Sequence, residues 1–390
     1  MTTAAMVLIA IPLVLLLYAY IGYPLLLALL GAGKRAIPNV GADPGEWPSI
    51  TVVIPAYNAE ASIARTIDHL LAADYPAEKR QLLVVSDAST DRTDEIVRGY
   101  GGQNVELLRQ SRRGGKTMGE NAAAAHVRSE IVVSTDATIV VPAQSLKHLV
   151  RPFADPSVGI VSGRDVSIEA PVAGDDTRGE AKYSGYEMRV RSLESRLGLI
   201  AGATGSLYAM RRPLYTATLP ATLTRDFAST LDAYEQRWRT VAADDAICLV
   251  ARAPSLRAEL HRKARTMTHG LDTLWHYRRL MNPLRHGRFA LMLISHKLCR
   301  WLMFATFPLG LVGVALASAA NGWAAVLLAA AVAGLATGAF AIRAAPRRAL
   351  PAVVALCGYV VVAISASLLA WGRVLRGERV LIWEPTRRQA

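Results

Sequence analysis

Residues 81–96 read QLLVVSDASTDRTDEI. Leu82–Val85 is a short unbroken apolar run, which reads as a strand buried on both faces. Directly behind it, Ser86, Asp87, Ser89 and Thr90 supply the hydroxyl and carboxylate acceptors that cap a helix start, and a helix is expected over Asp91–Tyr100. A buried strand, a polar strand end and a helix make the repeating unit of a wound parallel sheet. A single acid after one strand is most often a cap. It reads as part of a ligand site when other strand ends of the same sheet carry polar groups too.

Working outward, the pattern repeats. SITVVIPAYN, residues 49–58, is a β-branched apolar run that opens into a loop at Tyr57 and Asn58, and Ile63, Ile67, Leu70 and Leu71 recur at helical spacing between Ala59 and Ala72. Strands are expected at Val105–Leu108 and Ile131–Ser134, with a helix over Gly119–Val127 between them. The fold class is α/β, a mostly parallel Rossmann-like sheet wound by right-handed crossovers, and such sheets bind ligands beyond the carboxyl ends of their strands. Asn58, Asp87 and Asp136 all stand at such ends, so they are expected to converge on one crevice.

The flanks are different material. The chain has 390 residues, 52% of them hydrophobic, and a formal net charge of +13. So much apolar content makes the basic excess a match for anionic headgroups of a lipid bilayer, and no nucleic-acid partner is expected. Cys248, Cys299 and Cys357 have neither metal-site spacing nor a disulfide-framework count. Residues 1–33 carry no charge and are long enough to cross a bilayer as a retained N-terminal anchor. Lys34 and Arg35 follow, which puts the next segment in the cytoplasm by the positive-inside rule. Three later apolar stretches, near Leu298–Ala320, Trp323–Ile342 and Leu350–Trp371, make a membrane region over 286–372. The domain between, 48–285, ends in an amphipathic interfacial helix within LMNPLRHGRFALMLISHKLCRW, and a basic tail fills 373–390. Counting spans puts that tail outside, whereas its arginines favour the inside; a cytoplasmic tail is expected, with one late segment interfacial or re-entrant. The protein is expected in a bacterial cytoplasmic membrane.

From Ile50 to about Leu302 the motifs resemble those of the inverting family 2 glycosyltransferases, whose nucleotide-sugar domain is called GT-A and which include the cellulose, chitin and hyaluronan synthases. VVIPAYN resembles the opening strand and loop, so the resemblance implies donor contacts from Pro55, Tyr57 and Asn58. VVSDASTDRT resembles the Asp-Gly-Ser-Thr-Asp element with Ala88 in place of Gly, implying that Asp87 accepts a hydrogen bond from a uracil-type base. RRGGKTMGENAA, residues 112–123, resembles the Gly-Lys-x-x-x-x-Asn stretch, placing Lys116 and Asn121 near the nucleotide; a Walker loop is ruled out because Gln110 stands where that pattern needs Gly. IVVSTDATIVV resembles a metal-binding Asp-x-Asp with Asp136 in the first position and Thr138 in the third, implying Mg or Mn with one carboxylate fewer. GATGSLYAMRRPLY resembles the acceptor-side segment, with Gly205 letting a sugar approach. LTRDFASTL aligns Asp226 with the catalytic base, and Arg225 replaces the acid that precedes it in the family and is expected to favour the ionised carboxylate. Asp244 and Asp245 are rivals expected on a surface turn. HRKARTM resembles the Gln/Arg-x-x-Arg-Trp motif, giving Arg262 and Arg265 for pyrophosphate and Thr266 where processive synthases have Trp.

The expected activity is transfer of a sugar from a nucleotide-sugar donor, a UDP-sugar, to a lipid-linked or glycan acceptor with inversion to a β-linkage. A processive synthase that extrudes its product and a non-catalytic membrane scaffold are the rival readings. Oligomeric state is not legible here.

Overall fold

The computed structural model describes residues 2–33, 44–168, 178–251, 253, 255–343 and 350–378. They divide into two units, one drawn from residues 31–171 and 184–252, the other from 1–30, 172–183 and 253–379. In chain order, helices α1 (Thr3–Leu17) and α2 (Tyr23–Leu30) are joined by a π-helical turn, Tyr18–Gly22. Then come β1 (Ile50–Ala56), α3 (Ile63–Leu71), β2 (Arg80–Ser86), α4 (Thr93–Arg98), β3 (Val105–Arg109), α5 (Lys116–Ala123), β4 (Ile131–Thr135), β5 (Ile139–Val140) and α6 (Ser145–Val150). Next follow β6 (Val158–Ile168), α7 (Arg178–Ser195), β7 (Leu207–Arg211), α8 (Arg225–Glu235) and β8 (Arg239–Ala251). Helices α9 (Leu256–His276), α10 (Pro283–Leu293), α11 (Arg300–Ser318), α12 (Gly322–Arg343) and α13 (Ala352–Leu375) follow.

The first unit is built on one sheet of eight strands in the order β3-β2-β1-β4-β7-β6-β8-β5. From β3 to β4 every pairing is parallel, as the alternating sequence predicts. The second half is mixed: β7 runs antiparallel to both β4 and β6, β6 and β8 are parallel, and β5 pairs antiparallel with β8. The apolar runs pack on both faces. Ile50, Val52 and Ile54 meet Ile63, Ile67 and Leu70 of α3 on one side, while Val53, Leu83, Val85 and Val132 meet Ala123, Ile200 and Tyr208 on the other. Burying both faces removes the period-two pattern, which is why these strands read as continuous apolar runs.

Two expectations need correction. Helix α5 starts at Lys116 rather than Gly119, because Gly115 takes φ 83°, a left-handed backbone open to glycine, and releases the chain straight into helix. Asp244 and Asp245 lie within β8 instead of a turn, though both are exposed. The interfacial helix and the first late span form one helical run, Pro283–Ser318, kinked where Gly287 has φ 48°.

Among the described residues, the second unit holds four helical runs long and apolar enough to cross a membrane: Thr3–Leu30, Pro283–Ser318, Gly322–Arg343 and Ala352–Leu375. Glycines let them approach closely. A Cβ at Gly338 would collide with the Cys357 carbonyl oxygen of α13, and one at Gly313 would stand 2.9 Å from the Ala5 carbonyl oxygen of α1. Leu29, Val326, Leu327, Leu356 and Leu375 remain exposed, the apolar outer surface that a bilayer would cover. Lys34, Arg35, residues 344–349 and the tail beyond Glu378 lie outside the described residues.

Candidate active site

Strands β1, β2 and β4 are neighbours and end side by side, so the loops that follow them share one edge of the sheet. Two of these loops open with a non-glycine residue in the left-handed region, Asn58 (φ 47°) and Ala88 (φ 55°). Asn58 ties the two loops together: its Oδ1 accepts from the Thr90 N–H at 2.8 Å and its own N–H donates to Ser89 Oγ. Pro55 is buried within β1, at register with Val85, so it shapes the strand end rather than lining a crevice. The Arg113 guanidinium sits 3.7 Å over the Tyr57 ring.

Asp87 is nearly buried, and both its oxygens accept backbone N–H bonds, from Gly114 at 2.7 Å and Gly115 at 2.8 Å. Its first role in this geometry is to hold the glycine turn. That turn aims Lys116, whose Nζ donates to Asp136 Oδ1 at 2.6 Å and to the Gly205 carbonyl at 3.0 Å. Burial favours a neutral amine here, but the carboxylates of Asp136, Glu120 and Asp226 outweigh it and hold Lys116 above its ordinary range as an ammonium. On the far side of Gly205 stands Asp226, half-buried in the first turn of α8; a Cβ added to Gly205 would lie 3.2 Å from its Oδ2. Lys116, Asp136, Gly205 and Asp226, from four separate motifs, are thus brought together. A side chain at Gly205 would press against the Asp226 carboxylate.

Behind this face lies a group the sequence reading missed. Glu120 is 1% exposed, and neither of its carboxyl oxygens accepts a hydrogen bond. Arg225 is 2% exposed, with its Nε 3.6 Å from Glu120 Oε2, a bond to Asn121 Oδ1, and its guanidinium 4.5 Å over the Tyr215 ring. Arg225 therefore serves α5, not simply its chain neighbour Asp226 as expected. Asn121 is likewise committed to protein, since its Nδ2 donates to the Leu219 carbonyl at 2.7 Å. Burial pushes the Glu120 carboxyl up from the ordinary range, against the pull of Lys116 and Arg225. The signal was available in the spacing: Lys116 and Glu120 are one turn apart on the same helical face once the helix begins at 116.

The segment around Gly205 is held by polar side chains. Asp165 Oδ2 accepts from Thr204 Oγ1 at 2.7 Å and Ser206 Oγ at 3.2 Å, the two hydroxyls flanking Gly205. Arg191 Nε donates to the Gly202 carbonyl at 2.9 Å, and the Ala201 N–H donates to Glu194 Oε2 at 3.0 Å. Asp244 is taken up on the surface by the Ser192 hydroxyl.

Among the described residues no group of three or more His, Cys, Asp or Glu could hold a metal ion. Asp136 has only one oxygen engaged by Lys116, and Thr138, half-buried two residues on, adds a hard oxygen. That donor set fits Mg or Mn arriving with phosphates and keeping much of its water, rather than a cage built wholly from protein. Arg262 and Arg265 lie on α9 in the membrane unit, where Arg262 makes a two-point bond to the buried Glu259, with both contacts at 2.8 Å. Burial would push the Glu259 carboxyl up, but Arg262 and Lys263 outweigh it and hold it below the ordinary range. Arg262 is accordingly tied within its own helix and not held out as an unengaged pyrophosphate ligand.

This constellation can be compared with known proteins. Residues 48–268 match the model of the family described as glycosyltransferase like family 2. The chain belongs to that family. Its wound mixed sheet is the GT-A fold, and a mannosyltransferase of Pyrobaculum calidifontis, solved with GDP-mannose and Mn2+, superposes with a TM-score of 0.68 at 26% identity, covering 95% of this chain and all of that one. A beta-monoglucosyldiacylglycerol synthase of Synechocystis sp. is 27% identical over 204 residues, 50% of this chain and 42% of the relative. A dolichyl-phosphate beta-glucosyltransferase of Trichomonas vaginalis is 32% identical over 96 residues, 23% of this chain and 30% of the relative. The glycosyltransferase thus spans less than half the length of these two curated relatives.

Proposed function

We propose that this glycosyltransferase moves one sugar from a nucleoside-diphosphate donor to the hydroxyl or phosphate oxygen of a membrane lipid, with inversion at the anomeric carbon. The observation that carries the reading is the meeting of Lys116, Asp136 and Asp226 around Gly205. The names of the relatives, two of which end on lipid acceptors, support a lipid as the acceptor, and the helical runs flanking the catalytic domain would keep such an acceptor at hand.

The Lys116 ammonium would face the diphosphate and stabilise charge as the bond from the anomeric carbon to the phosphate oxygen breaks. Asp226 would accept the proton of an acceptor hydroxyl as its oxygen bonds to that carbon from the opposite face, turning an α-linked donor into a β-linked product. Asp136 and Thr138 would hold a divalent cation, which when bound supplies further neutralisation of the diphosphate. Asp87 acts through the glycine turn that places Lys116. A UDP-sugar remains the first donor to test and a GDP-sugar the second, given the GDP-mannose of the solved neighbour.

The purified protein, in vesicles with diacylglycerol or a polyprenyl phosphate, is to be screened against UDP- and GDP-sugars with Mg or Mn, reading both nucleotide release and glycolipid. Single-sugar glycolipid is expected. Long polymer would favour a processive synthase, and no transfer from any donor would overturn the reading.

A further inference from the structure

Resting on the reading in which Asp226 is the base, we propose that Thr117 and Asn121 are positioning residues: from one face of α5 they clasp the irregular segment 216–224 and so set where Asp226 meets the site. The motif resemblance implies a nucleotide contact for Asn121. Its hydrogen bonds go instead to the stretch of chain that delivers the base.

Residues 216–224 run as turns and irregular chain between the single turn Arg212–Leu214 and α8. Backbone groups in such a segment need partners from other elements, and α5 supplies two of them. Thr117 Oγ1 donates to the Leu223 carbonyl at 2.7 Å, and Asn121 Nδ2 donates to the Leu219 carbonyl at 2.7 Å. The other end of the same amide, Oδ1, accepts from the Arg225 guanidinium. An amide donates and accepts at once, so Asn121 makes both contacts where a leucine of similar size makes neither. Thr117 and Asn121 stand one turn apart on the helix, and both are buried, as are Leu219 and Leu223.

The clasp falls where the reaction needs precision. Its three points are Leu219, Leu223 and Arg225, and the last is the residue before Asp226 in the first turn of α8. α5 itself begins at Lys116, whose Nζ reaches the Gly205 carbonyl, and the Asp226 carboxylate lies beside that same glycine. One short helix thus fixes the ammonium directly and the carboxylate through the clasp. Misplacing a reacting group by about 1 Å costs about 10²-fold in rate, whereas binding of the nucleotide does not depend on where the base stands.

Thr117→Val and Asn121→Leu are compared with the wild type by single-turnover transfer into vesicles carrying diacylglycerol or a polyprenyl phosphate, using the UDP- or GDP-sugar that the wild type accepts. Calorimetric titration with UDP and GDP and the melting temperature are measured alongside. Each variant should slow transfer about tenfold or more while nucleotide Kd stays within about twofold. Thr117→Ser keeps the hydroxyl and should recover most of the rate lost in Thr117→Val, so the threonine pair decides the matter if Asn121→Leu fails to fold. In the Asp226→Asn background Thr117→Val should cost little further, because the clasp acts through that carboxylate. An unchanged rate in Thr117→Val, a nucleotide Kd about tenfold weaker with the rate kept in Asn121→Leu, or a full tenfold loss from Thr117→Val on top of Asp226→Asn would each overturn the inference. A wild type that transfers no sugar, or an Asp226→Asn variant with normal turnover, would instead overturn the functional reading beneath it.

Discussion

Replacing Lys116 with Met tests the centre of the site most directly. In the resting protein the ammonium makes two bonds, one to a carboxylate and one to a carbonyl, and its side chain is 20% exposed. A charge-assisted bond of this kind is worth about 1.5–3 kcal/mol, and water reaching the pair reduces that, so the loss of folding stability should be about 1–2 kcal/mol. The effect on turnover should be larger. A donor aimed at charge that develops only in the transition state costs about 10²–10³-fold in rate when removed. Single-turnover transfer of radiolabelled sugar to lipid should therefore slow by about 10²-fold or more, while melting falls by only a few degrees. Lys116→Arg should restore part of the rate, since the charge survives with a different reach. A Lys116→Met protein that melts normally and keeps kcat within about threefold of wild type would refute the assignment of the ammonium to the leaving diphosphate.

Asp226→Asn keeps the shape and removes the basicity, so kcat should fall by about 10²–10⁴-fold with donor binding retained, whereas Asp245→Asn on the exposed edge of β8 should change little; the opposite result would move the base to β8. Ala88→Gly should raise the melting temperature by about 1–2 °C, because an alanine at φ 55° carries a strain that glycine does not, and a lower melting temperature would show that the Cβ packs usefully there. Asp165→Asn should raise the acceptor KM about fivefold and leave donor Kd unchanged, since it loosens Thr204 and Ser206 on either side of Gly205; equal loss on both substrates would place its effect in general stability.

How far the sequence could be read depended on which physical rule governed each element. The strands of the parallel half were legible because burial on both faces leaves an unbroken apolar run, and their polar ends marked Asn58, Asp87 and Asp136 as neighbours before any pairing was known. The antiparallel half was harder. β6 is buried over its first six residues and only half-buried or exposed from Arg164 on, and β8 is broken in the middle by the exposed Asp244 and Asp245, so neither carries one pattern along its 11 or 13 residues, and the two acids read as a turn. The membrane runs were legible from length and absence of charge alone. What the pattern could not show was that the run Pro283–Ser318 kinks at Gly287 and passes the basic stretch around Lys297 as a π-helical segment, Ile294–Cys299.

The site shows the same division at the level of single residues. Residues expected to touch a donor turned out in three cases to be occupied by the chain: Asn58 with Thr90, Asp87 with the glycine turn, and Asn121 with Leu219 and Arg225. A motif fixes residue types at a spacing, but the same carboxylate or amide that would suit a ligand also suits a nearby backbone group, and only the fold decides between them. Glu120 is the converse case. Alone in the sequence it is one more acid on a short helix; its importance arises because α8 brings Arg225 against it, more than 100 residues along the chain. Both side chains are buried and face each other, so changing one alone would leave the other's charge without its partner. The two should therefore be exchangeable as a pair: Glu120→Arg combined with Arg225→Glu ought to retain more turnover than either single change, and a double variant no better than the singles would mean that each side chain is needed for its own surroundings and not for the other.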